Sequence, residues 1–193
     1  SDDAVLRWLR GPNNLSPREL ALAGGVTDRG ALALAEGPRL AALHELALTR
    51  GAIGPDGLAA LLAAPLPRLR RLLLGRNLFG EPGARALADS PTPRALDLLD
   101  LDCDRLRGPA VAAIARAPLL AGVRALNLSN NPIGAAGCAA LADSPHLGRL
   151  EVLRLHGCDL DDDAAAELLR APWLAGLKDL SLSANALSLA AVA

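Results

Sequence analysis

The densest group of potential ligands is "DLLDLDCD", which sets Asp97, Asp100, Asp102 and Asp104 within eight residues. Carboxylates are what a hard divalent cation requires, so a metal centre is the first chemistry to weigh. The histidines do not join it. His44, His146 and His156 are far apart in the chain, and "HEL" at His44 lacks the second histidine of a zinc-binding helix. Cys103, Cys138 and Cys158 form no CxxC pair, and Cys138 stands where related segments carry alanine, as buried filler. No GxSxG elbow, phosphate-cradling glycine loop or dinucleotide fingerprint occurs. "NLS" at Asn127 matches a glycosylation sequon, but in a repeat whose strand exit reads LxLSxN, as "LNLSNN" and "LSLSAN" do, the match is incidental. The expectation is no catalytic group, no cofactor and no metal.

The elements that carry these residues explain the aspartates better than a metal does. A pattern LxxLxL recurs as "LHELAL" from Leu43, "LRRLLL" from Leu69, "LDLLDL" from Leu96, "VRALNL" from Val123, "LEVLRL" from Leu150 and "LKDLSL" from Leu177. Its strand leucines Leu46, Leu72, Leu99, Leu126, Leu153 and Leu180 step by 26 residues once and then by 27, and a worn copy lies 26 earlier at Leu20. One register held over seven units specifies an array of stacked units. The alternation buries both leucines of LxL on one face of a short strand. Asn77, Asp104, Asn131 and Asn185 follow at a fixed position, where a short polar side chain hydrogen-bonds the backbone of the turn. Cys158 takes that position once and Gly51 once. Segments such as "GARALADSP" and "GCAALADSP" read as helices that end before proline, and "DLDDDAAAELL" opens one with Asp161 to Asp163, as acidic residues favour a helix N-terminus.

These units resemble the leucine-rich repeat family, in particular its ribonuclease-inhibitor-like class and the bacterial, GALA-like branch of that class. The resemblance runs from about residue 17 to the end. It implies one domain over 1–193, an α/β solenoid shaped as a horseshoe, with a concave parallel sheet and convex α-helices. Residues 1–16 form an N-terminal capping region, with Asp2 or Asp3 as N-cap and Leu6, Trp8 and Leu9 covering the first turn. Residues 17–193 form about seven repeats of 26–27 residues, the last incomplete and without a visible cap.

The register sorts the charges into columns. Arg70, Asp97, Arg124, Glu151 and Lys178 alternate in sign on neighbouring strands and read as a cross-strand ion-pair ladder. Asp104 belongs to the turn position. Two further columns remain, Ala47, Leu73, Asp100, Asn127, Arg154, Ser181 and Thr49, Gly75, Asp102, Ser129, His156, Ser183. They bring Asp100, Asp102, Asn127, Arg154 and His156 onto one polar area of the concave face, with Arg154 as its natural anchor. Trp173, on the loop returning to the last strand, is the other candidate for contact with a partner.

Composition bounds the rest. Aliphatic and other apolar residues make up 51% of the chain, with one Phe, two Trp and no Tyr, and the formal charge is −1. Interspersed charges leave no basic footprint for nucleic acid and no patch for an anionic membrane. No apolar run approaches the roughly 18 residues of a membrane span. The N-terminus is no secretory signal, the missing Met points to a processed product or a segment, and three sparse cysteines favour a reducing, cytoplasmic setting. Fold alone does not assign function; the reading taken is a non-enzymatic module binding a protein or peptide on the concave face, and its alternatives are the recognition part of a larger bacterial effector or enzyme and a scaffold that self-associates through its uncapped C-terminal end.

Overall fold

A computed structural model describes residues 1–11, 16–37, 40–77, 79–90 and 95–188. Seven strands form one parallel sheet in sequence order: β1 (Glu19–Ala23), β2 (Glu45–Thr49), β3 (Arg71–Leu73), β4 (Leu98–Asp100), β5 (Ala125–Asn127), β6 (Val152–Arg154) and β7 (Asp179–Ser181). Among the described residues seven α-helices alternate with them: α1 (Asp2–Arg10), α2 (Asp28–Glu36), α3 (Pro55–Ala63), α4 (Gly80–Ala88), α5 (Gly108–Ala115), α6 (Gly134–Ala142) and α7 (Asp162–Leu169). Each helix packs on the next, and each strand pairs with the next. This is a leucine-rich-repeat-like α/β solenoid, with the sheet on one face and the helices on the other.

The register read from the sequence is the register of the sheet. Leu20, Leu46, Leu72, Leu99, Leu126, Leu153 and Leu180 face one another in turn along successive strands. From Leu46 to Leu155 both leucines of each LxL are at most 1% exposed. They fill the space between sheet and helices, where alanines such as Ala84, Ala110 and Ala164 let the two layers approach.

The turn position ties repeat to repeat. Asn131 donates from Nδ2 to the carbonyls of Leu101 (2.8 Å) and Leu128 (2.9 Å), while its Oδ1 accepts the N–H groups of Asp104 (2.9 Å) and Leu106 (3.0 Å). Asn185 repeats the arrangement on Leu155, Leu182, Cys158 and Leu160. Asp104 supplies the acceptor half, taking the Asn77 N–H at 2.6 Å. Cys158 substitutes as a small buried donor, its thiol 3.3 Å from the Leu128 carbonyl. Buried backbone groups must be paired, and one side chain per repeat does much of that work.

The N-terminus departs from expectation. Ser1, not Asp2 or Asp3, is the N-cap of α1, with no side-chain capping bond. Asp2 reaches across to the next helix instead, accepting the Thr27 N–H (2.8 Å) and hydroxyl (2.6 Å). Val5 is the buried residue of α1, while Leu6, Trp8 and Leu9 are half-buried. Asp161 does cap α7 as expected, accepting the Ala164 N–H at 2.9 Å. The expected helix of the last repeat lies outside the described residues.

Candidate interaction face

Every second residue of a strand points away from the helices, which gives the open face of the sheet three rows. Glu45, Arg71, Leu98, Ala125, Val152 and Asp179 form the first row, Ala47, Leu73, Asp100, Asn127, Arg154 and Ser181 the second. The third follows the strand ends at Thr49, Gly75, Asp102, Ser129, His156 and Ser183. The middle of the first row is apolar. Polar columns alone do not reveal it. Its signal was available, since each member immediately precedes a strand leucine.

Two hollows lie side by side on this face. A polar one of about 520 Å³ is lined by residues that include Asp102, Asn127, Arg154, His156 and Asp179. An apolar one of about 360 Å³ is lined by Leu73, Leu98, Ala125 and Val152, with Arg71, Asp100, Asn127 and Arg154 among its borders. Asn127 and Arg154 belong to both. Five of the six candidates therefore converge here, Asp100 on the apolar side and Asp102 and His156 on the polar side.

Their side chains are not equally available. Asp100 and Asn127 close the same local turn, accepting the N–H of Asp102 (2.9 Å) and Ser129 (3.0 Å). Asp102 accepts from Asn130 Nδ2 at 2.6 Å and pairs with Arg76 Nε at 3.3 Å. His156 Nδ1 lies 2.9 Å from the Ser183 hydroxyl. The Arg154 side chain is exposed and makes no hydrogen bond or ion pair among the described residues. Trp173 is elsewhere: it is 6% exposed, and its indole N–H donates to the Leu141 carbonyl at 3.0 Å. It is a packed residue of the core rather than a contact surface, because its large ring is held against the C-terminal end of α6.

The ion-pair ladder is real over half its length. Glu151 binds Arg124 and also Lys178 (2.8 Å), and the bond from Lys178 is the chief reason its carboxyl sits below the usual range. Asp97 makes no ion pair among the described residues, and Arg70 turns to its own chain, donating to the Leu69 carbonyl at 3.1 Å. Asp97 is one methylene shorter than Glu151. The early repeats pair one column over, through Arg71 and Glu45 at 2.9 Å.

Among the described residues no group of three or more His, Cys, Asp or Glu side chains is arranged to hold a metal ion. Cys138 and Cys158 are buried, and burial pushes their thiols up to about 12 and about 11, far from the thiolate a nucleophile needs. No helix among the described residues is long and apolar enough to cross a membrane.

Residues 123–142 match the family model for the leucine-rich repeat, which covers β5 and α6 and identifies that unit as such a repeat. A search of curated proteins returns no significant match. Among solved structures, the chain is similar to the leucine-rich-repeat ectodomain of the plant membrane receptor kinase GASSHO1/SCHENGEN3 from Arabidopsis thaliana, determined in complex with CASPARIAN STRIP INTEGRITY FACTOR 2. The identity is 17%, the match covers 86% of this chain and 26% of that one, and the TM-score is 0.30. The chain thus spans about a quarter of that ectodomain. At that score the likeness carries no argument, and the fold rests on the strand register and the repeat itself.

Proposed function

We propose that this chain is a non-catalytic recognition module that takes a protein or peptide partner on the concave face. The observation that carries this reading is Arg154, an exposed guanidinium at the junction of a polar and an apolar hollow on a hydrogen-bonded sheet. Arginine beside apolar surface is a typical anchor of binding energy, and a broad, shallow, rigid face suits a macromolecule better than a small substrate. Convex α-helices in successive repeats support placing the chain in the ribonuclease-inhibitor-like class, with the bacterial, GALA-like branch and a cytoplasmic setting as parts of the same proposal.

The test is a pull-down from lysate of the source organism with immobilised wild type, Arg154→Asp and Arg85→Gln. Arg85 sits on the helical side, paired with Glu81. Arg154→Asp is expected to melt like wild type yet lose its captured species by about tenfold or more, the equivalent of one anchor. Arg85→Gln is expected to retain them. Equal capture by all three would remove the concave face as the working surface.

A further inference from the structure

We infer that the two joined hollows receive an extended segment in which one acidic side chain stands beside a branched aliphatic one. The inference rests on the concave-face recognition proposed above and adds the chemistry of the partner. Most charges of this face are already engaged within the chain. Glu45 holds Arg71, Asp102 holds Arg76 and accepts from Asn130, and Asp100 closes its own turn. Arg154 and Asp179 remain without an ion pair among the described residues.

These two differ in position. Asp179 borders the polar hollow, whereas Arg154 borders both that hollow and the apolar one. The group that meets an apolar side chain and a charge at once is therefore the cation, and a carboxylate is its complement. The apolar hollow accepts an aliphatic side chain against Leu73, Leu98, Ala125 and Val152. These residues come from four adjacent strands, a span of roughly 15 Å at about 4.8 Å per strand, or about five residues of extended chain. Asp100 sets a polarity. It stands two strands from Arg154, roughly 10 Å away, so a second acid at the other end of the apolar hollow meets a like charge. One acid on the β6 side, seated toward the apolar hollow and away from Asp179 in the polar one, fits this face, and an acidic run does not.

A displayed library of random peptides, roughly seven residues long to exceed that span, tests the pairing. It is panned on the wild-type chain, and a synthetic copy of the most enriched peptide is titrated against variants. The expected enrichment is Asp or Glu within two positions of Val, Ile or Leu. Binding of that peptide should fall about tenfold or more on Arg154→Gln, and by as much when its acid is replaced by the amide. Pairing Arg154→Glu with a peptide carrying Lys in place of the acid should restore binding. Peptides that ignore Arg154→Gln but are lost on Leu98→Asp, or on Ala125→Asp should Leu98→Asp melt early, would leave the concave face standing and overturn the acidic partner. Peptides indifferent to all three variants, or no enrichment, would overturn both.

Discussion

Gly51 occupies the position held by asparagine at 77, 131 and 185, so the sequence alone invites Gly51→Asn as a repair. The structure argues the opposite. A Cβ at Gly51 would stand 2.5 Å from the Val26 carbonyl oxygen and 2.7 Å from Asn77 Oδ1. The first repeat leans in here, with the Ala52 N–H bonded to that same carbonyl at 2.8 Å. Gly51→Asn should therefore cost about 1–3 kcal/mol, as overpacking does, and a urea melt reads it directly. A variant more stable than wild type would mean that the first repeat moves aside freely. A second local demand falls one residue earlier in the six repeats after the first. Arg50, Arg76, Cys103, Asn130, Gly157 and Ala184 all have φ between 55° and 66°. Glycine suits that region and asparagine tolerates it, yet only one of the six is glycine. The asparagine position was legible because its chemistry repeats. The left-handed position was not, because the chain fills it with residues that carry no common signal and lets the turn hydrogen bonds hold them there.

At the level of the elements, three helices begin with an aspartate that bonds into the next repeat, in two cases at the start of its helix. Asp2 binds the N-terminus of α2, Asp28 accepts the N–H groups of Gly54 (2.6 Å) and Gly57 (3.0 Å) at α3, and Asp162 accepts the Ser188 N–H at 2.8 Å. A carboxylate at unsatisfied helix N–H groups stabilises both by hydrogen bonding and by the helix dipole. Burial alone would raise the Asp2 carboxyl, but the bonds from the Thr27 side chain and backbone, a bond from Gly30 and the charge of Arg29 together hold it below its ordinary value. A carboxyl depressed by folding gives stability that is complete above its unfolded pKa of about 3.9 and is lost as pH falls through the lower folded value. The wild type should accordingly lose melting temperature between about pH 5 and pH 2, with Asp2 contributing to the slope. Asp2→Asn keeps one acceptor and should cost about 0.5–1 kcal/mol at neutral pH, with a shallower acid slope. Identical acid slopes would show that Asp2 does not hold α1 to α2 in solution. The sequence placed Asp2 and Asp162 at helix starts and assigned Asp2 to its own helix. Spacing along one helix is visible in the chain, whereas a bond to the helix 25 residues on needs the superhelical stacking to be known.

Over the whole molecule, contacts link each repeat to its neighbours, so stability should follow position in the array rather than residue type. The strand leucines provide the comparison. Leu126 in β5 is 1% exposed, enclosed by the repeats on either side. Leu20 and Leu22 in β1 are only half-buried against the same core, as are Leu180 and Leu182 in the last described repeat. Truncating a fully buried leucine removes its transfer free energy and leaves a cavity that closely packed neighbours cannot fill. Leu126→Ala should thus cost about 2–5 kcal/mol. Leu22→Ala removes the same atoms from a site that water already touches, so both the transfer loss and the cavity are smaller, and about 1 kcal/mol is expected. Urea melts of the two variants measure the costs, and native-state hydrogen exchange locates them. In wild type, the amides of β1 and β7 should exchange faster than those of β4 and β5, as end repeats open without the middle. Equal costs for the two variants, with uniform protection along the sheet, would mean that the array unfolds as one cooperative block. Repeat-by-repeat stability would then fail, even though the register that suggested it is the register of the sheet.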